Sequence, residues 1–415
     1  MSRTLRVIVV NTDDGVATDL RSVLLSIDGV KIVAEIDEPA MLAHAITHFP
    51  AEVLLVHLDP NPAGVMDVVA PLIEAHKDRI AVIGMTEDRD AELIMRAMRA
   101  GMREFLWKPF PPEQLAEVLN RVGSETSHSG RRLGRLFVAV GAGGGVGTTQ
   151  LATNLAVELA QLEEWENQTT PGARPRVVVV DMDFRFGQVA MQLDAQPAFT
   201  IAELCERPEQ IDAQMIEKAV FRHSAGVHVL ARPNVLAEAE RIHASQCAGV
   251  LASLQEHYDF VVVDLPGRFD PTARAVYDMA DAYLLVMQLH VPCVRTVDRM
   301  LGELSVSGYA VERVRLACNR TGRESSYLEI ADVESTLNRK IDFQIPEDWK
   351  TSSTALNMGS PLLLSAPKTR LRQAYVRIAQ VLAGGRADAA GAGEDNGEAK
   401  GKKLFAFFGA AKSGV

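Results

Sequence analysis

Short, nearly unbroken apolar runs recur along the chain, with amphipathic stretches between them. LRVIVV (Leu5 to Val10), KIVAEI, VLLVHL and IAVIGM have the character of strands buried on both faces. DLRSVLLSI and AELIMRAMRAGM between them carry helical periodicity. This alternation predicts a doubly wound α/β domain with a parallel sheet over residues 1–122. The polar, glycine-containing GSETSHSGRRLGRL interrupts the pattern and marks a linker over 123–135. A second series opens at LFVAV (Leu136 to Val140) and runs through RVVVVDMD, YDFVVVDLP, AYLLVMQL and VRLACN. It closes with the helical LRQAYVRIAQVLAG, which predicts a second doubly wound domain over 136–384. Residues 385–401 are small, polar and low in complexity, and read as a disordered linker.

The last stretch, 402–415, changes character again to KKLFAFFGAAKSGV. On a helix, Leu404, Phe405, Phe407 and Phe408 would gather on one side, flanked by Lys402, Lys403 and Lys412. A short basic and aromatic tail of this kind suits the surface of an anionic membrane. A peptide docking into a protein partner, or an idle chain end, would read the same.

A chain of 415 residues is too long for one ordinary core, in keeping with two domains and a tail. With 47% hydrophobic and 23% charged residues, its composition is that of a globular protein. The net charge of −11 argues against a generic nucleic-acid binder and leaves only the arginines of GRRLGRL as a small basic patch. MSRTLRVIVVNTDDG has no apolar signal-type core, and no run approaches the roughly 20 apolar residues that cross a bilayer. Cys205, Cys247, Cys293 and Cys318 are widely spaced and form no metal-type pair. Reduced, buried thiols in a cytoplasmic protein are the expectation.

Candidate chemistry centres on LFVAVGAGGGVGTTQLATNLAVELA, which reads strand, glycine-rich turn, helix. In such a turn, backbone N–H groups and the helix N-terminus face an anion. Gly143, Gly144, Gly145 and Gly147 would let the main chain approach phosphate oxygens. Thr149 stands where a P-loop hydroxyl holds Mg²⁺, Thr148 where the lysine belongs, and Ala142 replaces the first glycine. A turn needed only for close helix–sheet packing is the alternative. Asp181 and Asp183, in VVVVDMDFRFG, and Asp264, in VVVDLPG, fall at strand ends, where open α/β sheets bind ligands. Asp264 has the place of a Walker-B aspartate, with Gly267 placed to offer an N–H to a terminal phosphate. A single strand-end acid is often a helix cap, but three in this order fit a nucleotide site better.

These residues resemble the MinD/ParA group of P-loop ATPases, whose loop reads K-G-G-x-G-K-[ST]. GGVG and Thr149 match that loop, while both lysine positions are altered, to Gly143 and Thr148. The resemblance implies a nucleotide-binding loop from Gly143 through Val146 and Gly147 to Gln150, with ATP or ADP and Mg²⁺ as ligands. It also implies Mg²⁺ on Thr149 and, through water, on Asp264. Asp183 would position water, with Asp181 beside it. Asn319, in LACNR, resembles the asparagine that recognises adenine in that group, and FQIPEDWKTSSTALNMGSPL resembles its late I-P-x-D…A-x-x-x-G-x-P-[LV] stretch, which implies nucleotide binding for Asn319 and Pro346. DMDFRFGQVAMQLD and YDFVVVDLP are most similar to the CpaE/TadZ branch, which helps localise and assemble Tad-type pili.

The first segment resembles a response-regulator receiver, a flavodoxin-like fold. Asp13 and Asp14 would be its Mg²⁺-binding acid pair, and Thr86 and Lys108 its hydroxyl and lysine. After VLLV, where the phospho-accepting aspartate belongs, stands His57, with Asp59 close by. Asp59 would share a face with His57 in a regular strand, or lie in the following loop. Taken singly, Asp13 and Asp14 also read as a turn and helix cap, and His57 as a hydrogen-bonded, partly buried histidine.

Two missing lysines imply that nucleotide binding survives with weak or no hydrolysis. One lost charge-assisted contact weakens binding by roughly 1.5–3 kcal/mol. Losing positioned cations from the transition state removes about 10³-fold or more in rate. Arg185 offers a substitute cation, unless it is simply solvated or salt-bridged. The resulting expectation is a cytoplasmic, homodimeric ATP-binding scaffold that positions pilus or secretion machinery at the inner membrane or cell pole. Its rivals are an active MinD/ParA-type ATPase cycling on membrane or DNA, and a phosphorylation-controlled response regulator.

Overall fold

A computed structural model describes residues 5–384 except 28–29, 50, 77–79, 88–89, 127–132, 166–167, 169–171, 209–210, 308, 310 and 323–327. The expectations for 385–401 and 402–415 therefore lie outside the described residues.

The apolar runs become strands because both their faces are covered. β1 (Leu5–Val10), β2 (Val30–Ile36), β3 (Val53–His57), β4 (Ala81–Thr86) and β5 (Met102–Trp107) form a parallel sheet in the order β2-β1-β3-β4-β5. Their connections are α1 (Asp14–Ser26), α2 (Leu42–His48), α3 (Pro62–His76), α4 (Ala91–Arg99) and α5 (Pro112–Thr126). Alternate residues of one strand enter opposite cores. Ile8, Val10, Leu54 and Val56 pack with Leu42, Ile46, Met66 and Ala97 of α2, α3 and α4. Val7, Val9, Val53 and Leu55 pack with Leu20, Leu24, Leu115 and Leu119 of α1 and α5.

The second sheet holds β6 (Arg135–Gly141), β7 (Val177–Asp181), β8 (Phe221–Arg222), β9 (Val227–Leu230), β10 (Phe260–Leu265), β11 (Ala282–Met287), β12 (Val314–Thr321) and β13 (Phe343–Pro346). Its order is β13-β12-β11-β6-β10-β7-β9-β8, parallel except for β8 against β9. β6 lies between β10 and β11, and the helix that follows it, α6 (Thr148–Leu159), packs on the sheet. Both expected doubly wound α/β units are present. All four cysteines are free and buried.

The two sheets meet through charged groups taken out of water. Lys31 of edge strand β2 is 2% exposed, and its ammonium donates to the Ala280 carbonyl oxygen at 2.6 Å. Arg313 donates to the Val30 carbonyl oxygen at 2.9 Å. The neighbouring Asp281 accepts the Leu136 N–H at 2.7 Å. Burial pushes Lys31 well below the usual lysine range. Burial would raise Asp281, but Arg6 and Lys31 hold its carboxyl below the ordinary value.

α6 is buried from Gln150 to Leu159, and its one buried charge is paired. The Glu158 side chain, 3% exposed, accepts two bonds from Arg372, at 2.7 and 3.0 Å. Arg372 lies on the closing helix Arg370–Leu382, which packs along α6. Arg372→Ala leaves a buried carboxylate unpaired and should cost about 3–5 kcal/mol in chemical denaturation of the full chain. The double substitution Glu158→Leu with Arg372→Leu should recover most of that loss, because no charge then remains buried.

Candidate functional site

The site lies at the C-terminal ends of β6, β7 and β10. The turn from β6 to α6 needs two left-handed backbones, and glycines supply them: Gly145 has φ +74° and Gly147, the N-cap of α6, has φ +99°. A Cβ on Gly147 would also collide with the Asn319 amide. At Gly144 and Gly145 a Cβ would meet nothing within 4 Å, so this part of the loop is open on its outer side. Gln288 steadies the loop by donating to the Gly145 carbonyl oxygen at 3.2 Å.

Beneath the loop, Thr149 donates its hydroxyl to the Asp264 carboxylate at 2.7 Å. The pair that the sequence assigned to Mg²⁺ is thus in contact, its members brought from β10 and from the first turn of α6. Burial pushes the Asp264 carboxyl up to about 6, against the lowering effect of the Thr149 hydroxyl. Asp181 is 1% exposed and raised to about 8, first by burial and then by Asp264. Its two oxygens accept backbone N–H groups of Asp183 and Val189, at 3.2 and 3.1 Å, which fold the segment after β7 around it. Asp183 is more exposed and accepts the Phe186 N–H at 3.3 Å. It borders a cavity of about 150 Å³ that Arg185 and Arg268 also line. Thr148 packs against Gly141, where a Cβ would strike its hydroxyl, and Gly267 packs against the Gly141 carbonyl.

Across the loop, Asn319 is buried with its amide engaged at both ends. It donates to the Val146 carbonyl oxygen at 2.8 Å and accepts the Arg320 N–H at 2.9 Å. A narrow cleft beside it is lined by Gln150, Pro346 and Trp349, with the Arg320 guanidinium over the Trp349 ring at 5.9 Å. Gln150 accepts a bond from the Ser352 hydroxyl at 2.9 Å, while its buried Nε2 has no hydrogen-bond partner. That orphaned donor and the open glycine backbone fit a phosphate-bearing ligand with Mg²⁺ on Thr149 and Asp264. Arg268, Arg320 and Trp349 were not singled out from sequence, although Arg320 ends LACNR and Trp349 lies in FQIPEDWKTSSTALNMGSPL, because only the fold brings them to these cavities.

In the first sheet, His57 ends β3 and is fully buried, its Nδ1 2.6 Å from the Asn11 amide oxygen. Asp59 lies in the turn just beyond β3 rather than on the strand, and its carboxylate turns back to Thr86, Lys108 and His57. Burial, then the Lys108 charge, lowers His57 below the ordinary histidine value, against the pull of Asp59. Asp13 caps α1 by accepting the Gly15 N–H at 2.9 Å, so the cap reading holds for it; Asp14 is the first residue of that helix.

Comparison with known proteins agrees with this geometry. Residues 7–120 match the response regulator receiver domain, and residues 143–314 match the ATPase MipZ family. The septum site-determining protein MinD of Thermotoga maritima is 23% identical over 259 residues, covering 61% of this chain and 89% of that protein. An uncharacterised ATP-binding protein of Methanocaldococcus jannaschii is 23% identical over 251 residues, covering 60% and 88%. Among solved structures, a ParA-family ATPase from Chlorobium tepidum has a TM-score of 0.55 at 22% identity, over 60% of this chain and 99% of that one. MinD from Pyrococcus horikoshii, solved with Mg-ADP, has a TM-score of 0.51 at 19% identity, over 60% and 96%. The class is therefore a receiver domain joined to a MinD/ParA-type ATPase domain. In this chain the loop reads GAGGGVGTTQ, with no lysine in it.

Asp181 gives a pH signature with a definite sign. The unfolded carboxyl releases its proton near 3.9 and the folded one near 8, so between those values the folded state holds more protons. Stability from this group falls as pH rises from about 4 to about 8. The melting temperature of the unmodified chain minus that of Asp181→Asn should therefore decrease from pH 5 to pH 8. A difference independent of pH would show that the carboxyl ionises normally.

Proposed function

We propose that this chain is a CpaE/TadZ-type localisation factor. It is a cytoplasmic, homodimeric, ATP- or ADP-binding scaffold that positions pilus or secretion machinery at the inner membrane or cell pole, with weak or no hydrolysis. The observation that carries the reading is the Thr149–Asp264 contact beneath a loop that keeps its glycine geometry but has no lysine. It supports a cradle retained for binding after the charges useful in turnover have gone. The localisation and machinery rest on the resemblance to that branch. Among the described residues, no helix is long and apolar enough to cross a membrane. Attachment at the membrane surface is assigned to the tail, 402–415.

In this reading, backbone N–H groups from Gly143 to Thr149 receive the phosphates, and Gly267 faces the terminal one. Thr149 and Asp264 would hold Mg²⁺, which would neutralise charge on the phosphate oxygens. Pro346, Asn319 and the Trp349 cleft take the base. The free Nε2 of Gln150 would donate to the bound ligand.

An active ATPase is the second reading, favoured by one observation. Arg185 and Arg268 line the cavity at Asp183, where a cation from outside the loop could serve a water-positioning acid.

Calorimetry with Mg-ATP and Mg-ADP should give saturable binding that Gly147→Val abolishes, since valine disfavours φ +99° and would strike Asn319. Gln150→Leu should weaken binding about fivefold, the worth of about 1 kcal/mol for one neutral hydrogen bond. Absence of binding at millimolar nucleotide would refute the proposal. Turnover that Arg268→Ala removes would favour the active ATPase.

A further inference from the structure

The receiver-type domain carries a second constructed polar site, independent of the nucleotide reading. Three connections at the C-terminal edge of its sheet converge there. The end of β4 supplies the Thr86 hydroxyl, donating to Asp59 Oδ1 at 3.0 Å, and the turn that follows supplies the Glu87 N–H, donating to Asp59 Oδ2 at 2.9 Å. The segment after β5 supplies the Lys108 ammonium, 3.5 Å from Oδ2. The end of β3 supplies the His57 ring, with Nε2 3.2 Å from Oδ2. A hydroxyl, a main-chain N–H and an ammonium converging on one carboxylate are the donor set of an oxyanion pocket. Thr86 is fully buried and the Lys108 side chain is 14% exposed, so these donors are largely withdrawn from water.

We propose that this is an oxyanion pocket permanently filled by the chain's own Asp59 carboxylate, which fixes the receiver-type domain in one state without modification. Position 57, at the strand end, offers no carboxylate, and Asp59 reaches back from the next turn into the donors. Both of its oxygens are engaged, and Thr12 also donates to its backbone carbonyl at 3.2 Å, tying in the β1 connection. Burial works against the Asp59 charge, yet the Glu87 N–H, the Thr86 hydroxyl, His57 and Lys108 together hold its carboxyl below the usual aspartate range. Lys108 also lies 3.2 Å from Glu87, so one ammonium bridges the carboxylates of two turns. The bound carboxylate acts as an internal crosslink among the turns after β3, β4 and β5. The face formed by those turns is set by sequence alone and waits for no phosphoryl group.

The test removes the resident anion and supplies another. In the full chain, Asp59→Gly should lower the melting temperature by several degrees. Acetate or inorganic phosphate, titrated against chloride at matched ionic strength, should restore it saturably. The unmodified chain should gain less from either anion, and any binding at the glycine loop is common to both chains and cancels in the difference. An equal response in the two chains, or none in the variant, overturns the proposal. Acetyl phosphate should leave the unmodified chain unlabelled, and a phosphoryl adduct on the Asp59 peptide would also overturn it. Should Asp59→Gly not fold, a double-substitution cycle decides. Asp59→Asn should cost stability in the unmodified background and much less in Lys108→Met, whereas additive costs would refute the pairing.

Discussion

Burial of α6 from Gln150 to Leu159 is the constraint on which the second domain depends. A helix hidden from Gln150 to Leu159 needs partners for its buried polar groups, and three of those partners come from distant chain. Arg372 holds Glu158, the Leu362 N–H donates to Asn154 at 2.9 Å, and Ser352 donates to Gln150. The last third of the domain is thus fastened to the helix that begins at the glycine loop. The loop inherits that rigidity, because its final residue, Gly147, is the helix N-cap. In that first turn Gln150, which lines the cleft, has a buried Nε2 without a partner.

Electrostatics sets the two candidate sites apart. Asp181 and Asp264 are buried side by side with no lysine in the loop above them, and burial raises both, to about 8 and about 6. Such a site relieves its charge by keeping protons or by taking a cation. The pocket at Asp59 is the reverse, since donors and an ammonium surround one carboxylate and hold it ionised. One site gathers buried carboxylates beneath an open glycine loop; the other already holds a carboxylate among its donors.

Between the sheets, Lys31, Arg313 and Asp281 tie β2 to the strand that feeds the loop, because Asp281 holds the N–H of Leu136 in β6. Polar bonds at this seam are directional and desolvated, so they fix one arrangement of the two domains more sharply than apolar contact would.

Patterning alone determined the two parallel α/β sheets. A strand buried on both faces must be apolar at every position, and the runs from LRVIVV to VRLACN are nearly so. It also determined the glycine turn, since only glycine sits easily at the φ values of 145 and 147. Strand-end acids were legible as a set, and Thr149 with Asp264 as a pair. Tertiary structure decided what spacing along the chain cannot encode. It placed the amide of Asn319 against the loop, wrapped the segment after β7 around Asp181, and paired Glu158 with a residue 214 positions away. It also turned Asp59 back from beyond β3 into the pocket of Thr86 and Lys108. Local sequence sets backbone preference and burial pattern, whereas the partner of a buried polar group depends on which distant elements the sheet order makes neighbours.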